Sequence, residues 1–372
     1  MDKKPIRRLA FFLPNLDGGG AERVMVNLAN YFVGQNYHVD LVVATRGGVF
    51  ASSLSTGVTF VELGAVGCRA AIPALTAYLR KAQPQVLIST LNHANIAALV
   101  ARRLAGGRCR VVVREANTIH PHGGSQTRKA VLLPTLMRLL YPLADFAVAN
   151  SEGVAAELVE HIRLRPAKVR VIENPVYSAD FDRLAAADLT DDWLSAATIP
   201  VLVGCGRLTA QKDFATLIRA VGVVRQTRPV RLIILGEGEE RESLTELIRA
   251  QHLEDCVRLP GFVSNPFPYF RLCACFVLSS RYEGCPNVLI QALLAGAQTV
   301  STDCPWGPRE VLVNGRHGRL VPPGDFSQMA AAILQTLGSG ERGQSAARLE
   351  LKGKYDIQAV AGKFAALFGD LT

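Results

Sequence analysis

What constrains the fold most is a rhythm: short aliphatic and β-branched runs alternate with segments of helical length, pause once, and start again. In the first half the strand-like runs are Leu9 to Leu13, Val39 to Ala44, Val58 to Leu63, Val86 to Ser89, Val111 to Val113, Phe146 to Ala149 and Val169 to Ile172. Between them Ala21 to Gly34, Ile72 to Ala82 and Gly153 to His161 have helical length. A parallel strand pair needs a long crossover, usually a helix, so this order predicts a parallel sheet with helices on both faces. The rhythm lapses over Tyr177 to Thr198, a polar stretch with five aspartates. It resumes with Val201 to Gly204, Arg231 to Leu235, Val257 to Leu259, Cys275 to Ser279, Gln298 to Ser301 and Arg319 to Val321. A second doubly wound domain follows, and 372 residues suit two such domains. The boundaries read as an N-terminal domain over 1–175, a linker over 176–198 and a C-terminal domain over 199–354. Ligands are expected in the cleft between two such domains.

Composition excludes several classes. Hydrophobic residues are 49% and charged residues 20%, which is a folded rather than a disordered balance. Met1 to Arg8 has the basic character of a signal-peptide start, yet the apolar stretch behind it runs only from Leu9 to Leu13 before Pro14 and Asn15. That length fits a first buried strand, so the chain is expected in the cytoplasm. The eight cysteines form no Cys-x-x-Cys pair and no histidine pair has zinc-finger spacing. They read as reduced, mostly buried thiols. Charge is segregated: residues 1–175 hold 21 Lys and Arg against 11 Asp and Glu, a net +10, while the rest hold 20 against 21, a net −1. A basic half points to an anionic partner. With no nucleic-acid motif and 7% aromatic residues, a membrane surface or lipid phosphate is favoured over nucleic acid.

Two segments carry chemistry. In Gly204-Cys205-Gly206-Arg207-Leu208 a strand ends in glycines, and Arg207 and Lys212 follow ahead of a helical stretch at Asp213-Phe214. A guanidinium fork beside a compact ammonium suits a diphosphate, although a solvated loop with incidental charges has the same look. The second runs from the strand before Ser279 through Tyr282-Glu283-Gly284-Cys285-Pro286-Asn287 into a helix. Pro286 and Asn287 suit a helix start, whose amides attract phosphate oxygens. Glu283 at a strand's carboxyl end can accept sugar hydroxyls, or simply complement the helix dipole.

Taken together, Gly204-x-Gly206-Arg207-Leu208 with Lys212-Asp213-Phe214, and Tyr282-Glu283-Gly284-x-Pro286-Asn287-Val288-Leu289, resemble the retaining glycosyltransferases of family 4. These have the GT-B architecture of two Rossmann-like domains facing a cleft. Leu16-Asp17-Gly18-Gly19-Gly20-Ala21-Glu22-Arg23 is similar to the family's first glycine-rich turn. Asn150-Ser151-Glu152, Ile172-Glu173-Asn174-Pro175 and Gly261-Phe262-Val263 match further landmarks in order. The resemblance implies that Arg207 and Lys212 neutralise the leaving diphosphate and that Glu283 holds hydroxyls of the donor sugar. It implies that Gly284, Cys285, Pro286, Asn287, Val288 and Leu289 line sugar and phosphate. It also places Gly19, Gly20 and Gly206 near the donor, sets Phe262 and Val263 at the base, and returns a closing helix over 355–372 to the N-terminal domain. The expected donor is a UDP-sugar used as co-substrate, with no separate cofactor and no metal. The expected acceptor is a saccharide, linked to polyprenyl diphosphate or part of another cell-envelope glycan, met at the inner face of the cytoplasmic membrane.

The chain departs from the family's pattern twice. Where relatives carry a second Glu, it has Gln291, which can still exchange hydrogen bonds with a ribose diol but lacks the charge. Gln at that place is familiar in a subgroup that builds cell-surface or lipid-linked glycans and carries a segment like Thr302-Asp303-Cys304-Pro305-Trp306-Gly307-Pro308-Arg309-Glu310. Where many relatives have a His, it reads Arg114-Glu115-Ala116-Asn117-Thr118, with His120 beyond. Glu115 is expected near the reacting carbon with Asn117 supporting it, or else in a loop ion pair with Arg114. His93, after another strand, is an acceptor contact or a hydrogen-bonded structural histidine. Arg128 to Leu140 mixes cations with bulky aliphatics, and reads either as core or as a membrane-interface helix. The rival readings are a GT-B-like UDP-sugar epimerase, which needs no acceptor, and a non-catalytic sugar-nucleotide or lipid-binding relative.

Overall fold

The computed structural model describes residues 6–119, 128–195, 198–339 and 345–371. They form two compact units, Met1–Pro175 with Tyr355–Thr372, and Val176–Lys354. The first holds strands β1 (Arg8–Leu13), β2 (His38–Val43), β3 (Val58–Glu62), β4 (Val86–Thr90), β5 (Arg110–Glu115), β6 (Phe146–Ala149) and β7 (Val169–Val171). All pair in parallel, in the order β3-β2-β1-β4-β5-β6-β7. Helices α1 (Gly20–Gly34), α2 (Ile72–Ala82), α3 (Asn92–Leu104), α4 (Arg128–Leu140) and α5 (Glu152–Glu160) make the crossovers. Every residue of β4 is buried, as a strand covered on both faces requires.

The second unit holds β8 (Val201–Cys205), β9 (Arg231–Leu235), β10 (Val257–Gly261), β11 (Cys275–Leu278), β12 (Thr299–Thr302) and β13 (Arg319–Val321), ordered β10-β9-β8-β11-β12-β13 and again parallel. Strand order reverses between β1 and β4 in one sheet and between β8 and β11 in the other. At such a switch the loops leave in opposite directions and open a crevice beyond the carboxyl ends. The expected pair of doubly wound domains is borne out.

The stretch read as a linker over 176–198 is instead folded into the second unit. It forms α6 (Phe181–Ala185) and α7 (Asp192–Ser195). Phe181 stacks 4.6 Å from Phe267, and the guanidinium of Arg258 lies 3.7 Å over buried Trp193. Three of its aspartates, whose kind made it look like a loop, have partners within the second unit. Asp191 accepts from the Trp193 and Leu194 amides, Asp192 pairs with Arg258 and Asp182 with Arg348.

The closing helix, Ile357–Asp370, belongs to the first unit. Asp356 caps it by accepting from the Gln358 and Ala359 amides, and Lys363 pairs with Glu173 at 2.5 Å. Its apolar face, Phe364, Leu367 and Phe368, is buried in the core that also holds Phe11, Leu28 and Phe32 of β1 and α1. The Phe368 ring lies 5.6 Å from that of Phe32. Each such side chain removed from water stabilises by about 1.5–3 kcal/mol.

Candidate active site

In the second unit, labels continue with α8 (Phe214–Arg225), α9 (Arg241–Ala250), α10 (Phe267–Leu272) and α11 (Asn287–Leu294). The loop leaving β8 meets the loop leaving β9 backbone to backbone. The Gly206 amide donates to the Leu235 carbonyl and the Leu208 amide to that of Glu237. A Cβ at Gly236, whose φ is +143°, would sit 1.9 Å from the Gly206 oxygen, so only glycine fits. The Gly236 amide in turn donates to the Gly261 carbonyl at the end of β10. The next residue, Phe262, is 53% exposed, and Val263 after it is half-buried.

Lys212 and Glu283, 71 residues apart in sequence, meet at the switch point. Lys212 Nζ lies 2.5 Å from Glu283 Oε1, and the Ser280 hydroxyl donates to the same oxygen at 2.6 Å. Glu283 is 6% exposed. Around the pair the two loops are strapped together. Ser279 Oγ donates to the Lys212 carbonyl, the Arg281 amide to that of Gln211, and Gln211 Nε2 to that of Tyr282. Asp213 caps α8 through the Thr216 amide and hydroxyl and takes Arg281 from the far side. Arg207, the residue after the Gly206 on which the Lys212 side chain packs, is exposed and has no side-chain partner among the described residues.

The segment Cys304-Pro305-Trp306-Gly307 fixes the far side of Glu283. The Glu283 amide donates to the Pro305 carbonyl at 2.7 Å and the Trp306 amide to the Glu283 carbonyl at 2.9 Å. Gly307, at φ +94°, packs so closely that a Cβ would lie 2.7 Å from Pro286 Cδ and 2.9 Å from the Gly284 oxygen. Gly284, Cys285 and Pro286 are buried beneath it. Beyond them α11 opens with no side-chain cap. Asn287 and Val288 are half-buried and Leu289 is buried in its first turn. Gln291, one turn on from Asn287, shares its face. Burial pushes the Cys205 thiol up to about 12, and burial with the nearby Glu283 does the same to Cys304, so neither offers a thiolate at neutral pH.

The residues expected in the first half are arranged differently. Gly19 caps α1 and Gly20 opens it, and a Cβ at Gly19 would strike the Glu22 carboxylate at 2.1 Å. Glu115 ends β5 with its carboxyl turned inward, 3% exposed, and Asn95 Nδ2 and the Tyr141 hydroxyl both donate to its Oε1. Burial pushes it up to about 7, against the opposing pull of those two hydrogen bonds and of the Arg114 charge. Glu115 closes a strand rather than standing in a loop, so the alternative of a loop ion pair with Arg114 does not describe it. It is an interior carboxyl, and Arg114, the strand residue before it, faces the other way and donates to Thr90 and Asn174. Asn117 is half-buried and accepts from the Thr118 amide. His93 is exposed on the first turn of α3, its Nδ1 3.2 Å from Asn92 Oδ1. His120 lies outside the described residues.

Sequence reasoning missed Gly236, Ser280, Asn95 and Tyr141. The glycine had a signal, since Gly236-Glu237-Gly238 ends a strand-like run as Gly204-Cys205-Gly206 does. Asn95 and Tyr141 had none, because their partner Glu115 is 20 and 26 positions away, while Ser280 lies only three residues before Glu283 within the segment already singled out.

Two parallel units of this order define the GT-B class. The chain is similar to Anabaena Alr3699/HepE solved in complex with UDP, with a TM-score of 0.78 at 20% identity over 98% of this chain and 100% of that one. Residues 18–179 match the model of Glycosyltransferase Family 4, and residues 199–339 that of Glycosyl transferases group 1, together more than half of the chain. The chain belongs to the family 4 glycosyltransferases. Among its relatives is the N-acetylgalactosamine-N,N'-diacetylbacillosaminyl-diphospho-undecaprenol 4-alpha-N-acetylgalactosaminyltransferase of Campylobacter jejuni, 29% identical over 89% of this chain and 90% of that protein. Another is the amylovoran biosynthesis glycosyltransferase AmsD of Erwinia amylovora, 25% identical over 80% of each.

Proposed function

We propose that the chain moves a hexose or N-acetylhexosamine from a UDP-sugar to a polyprenyl-diphosphate-linked saccharide, retaining the anomeric configuration. The observation that carries this reading is the Lys212–Glu283 pair at the second unit's switch point, with exposed Arg207 on the same loop as Lys212. An ammonium has three donors, so Lys212 can keep Glu283 and still reach a phosphate. As the bond to the sugar breaks, negative charge collects on the departing diphosphate, and preorganised cations beside it lower the barrier. Glu283, with one oxygen already occupied by Lys212 and Ser280, is suited to accept sugar hydroxyls rather than to shuttle protons. The departing phosphate oxygen can take the acceptor's proton. Side-chain cations carry the neutralisation in this reading, with no divalent metal.

The Campylobacter relative's named undecaprenyl-diphosphate substrate supports the lipid-linked acceptor, and the UDP bound to the Anabaena protein supports the nucleotide. No helix among the described residues is long and apolar enough to cross a membrane. In this reading membrane contact is peripheral, through the basic first half (net +10 over residues 1–175) at the inner face of the cytoplasmic membrane.

The test is to measure UDP release from a sugar-nucleotide panel with and without a lipid-linked saccharide. Release that depends on the acceptor and survives EDTA is expected, with Arg207→Ala and Lys212→Ala each lowering turnover about a hundredfold or more. Wild-type rates in both variants would remove the phosphate assignment. Activity lost in EDTA and restored by magnesium would overturn the metal-independent route, and a stable epimer formed without acceptor would favour an epimerase.

A further inference from the structure

Two serines follow β11, and each holds one partner of the Lys212–Glu283 pair. Ser279 Oγ donates to the Lys212 carbonyl at 2.7 Å, which fixes the backbone of the cation. The Lys212 stem is fixed as well, for it packs so closely on Gly206 that a Cβ there would lie 3.0 Å from Lys212 Cε. Ser280 Oγ donates at 2.6 Å to Glu283 Oε1, the oxygen that Lys212 Nζ also reaches. Ser280 is wholly buried, and β12 holds it in turn, since Thr302 Oγ1 donates to the Ser280 carbonyl at 2.6 Å.

The Glu283 main chain is bound through both its amide and its carbonyl, by Pro305 and Trp306, so what remains to be set is the plane of the carboxylate. A glutamate's last torsion is broad and roughly two-fold, and one partner does not set it. Lys212 by itself does not, because its ammonium carries three rotatable donors and can straddle both oxygens. The Ser280 hydroxyl adds a second, fixed donor to one of them. Oε1 then carries both bonds, while no described residue donates to Oε2.

We infer that Ser280 is a positioning residue for the sugar half of the donor: it ties down Glu283 Oε1 and thereby leaves Oε2 open to ligand hydroxyls. The assignment rests on the function proposed above, in which Glu283 accepts hydroxyls of the sugar. A residue that acts through Glu283 affects recognition of the sugar and spares the nucleotide, because an ammonium drawn onto both carboxylate oxygens still has a donor left for phosphate. A serine that merely braces the loop would affect both alike.

Calorimetric titration of the full chain with UDP, UDP-glucose and UDP-N-acetylgalactosamine separates nucleotide from sugar, with thermal unfolding as the control for folding. Ser280→Ala should bind the UDP-sugar that the wild type prefers about tenfold more weakly and bind UDP as the wild type does, which is the scale of one hydrogen bond to a charged group. In a Glu283→Ala background the same substitution should change UDP-sugar affinity by less than about twofold, since its partner is already gone. Should Ser280→Ala not fold, Ser280→Cys makes the same comparison with the space filled and a much weaker donor. Equal weakening of UDP and UDP-sugar, wild-type affinity for both, or a full tenfold loss added to that of Glu283→Ala overturns the inference. If Glu283→Ala itself leaves UDP-sugar affinity unchanged, or the wild type binds neither UDP-sugar, the sugar role in the function proposed above fails first, and the assignment of Ser280 falls with it.

Discussion

Glu115 sets two effects against each other. Hydrogen bonds from Asn95 and Tyr141 favour the carboxylate, while enclosure in the interior disfavours it, and enclosure wins, placing the group at about 7 against 4.5 for an ordinary glutamate. Because the folded value is raised, the protonated form's stabilisation is fully present below about 4.5 and is lost as pH rises through about 7. Glu115→Gln keeps an acceptor oxygen for both neighbours and removes the titration. It should unfold like the wild type near pH 4.5 and be more stable by about 1–3 kcal/mol at pH 8. Denaturant midpoints across that range check this, and a constant difference between the two proteins would contradict the raised value. The same residue shows what local sequence hides. A carboxylate at a strand end is easy to place along the chain, but which face it takes depends on where Asn95 and Tyr141 arrive, 20 positions before it and 26 after.

At the level of elements, the central strands were legible because strands such as β4 and β11 are short apolar runs bounded by turn residues and buried along their whole length. The identities of Lys212 and Glu283 were legible from their segments, but their pairing was not, since it joins loops from β8 and β11. The misread stretch at 176–198 shows the opposite error. Aspartates that cap short helices or pair with Arg258 and Arg348 have the same composition as aspartates in a solvated linker. The closing helix gives the sharpest test at this scale. Phe368→Ala empties a site enclosed by Phe32 and Phe364 and should cost about 3–5 kcal/mol, read as a lower urea midpoint. A loss below about 1 kcal/mol would mean that the helix contributes little to the first unit.

For the whole molecule, charge segregation is the property with the longest reach. The excess of cations lies in residues 1–175, and α4 within them exposes Leu132 at 59% and Leu139 at 68% near Arg138. Sedimentation with anionic phospholipid vesicles should weaken when salt rises from about 0.1 M to about 1 M, as the screening length falls from about 10 Å to about 3 Å. Binding that ignores salt, or none, would leave that charge without its proposed partner. The first unit is also assembled from two separated segments, the one through Pro175 and the one from Tyr355 onward. During synthesis the closing helix follows the rest of that core by nearly 180 intervening residues, so Phe32 and its neighbours wait for their cover. Separate expression of the leading half would yield a protein with an oily flank and a tendency to clump, curable by supplying the final helix as a peptide.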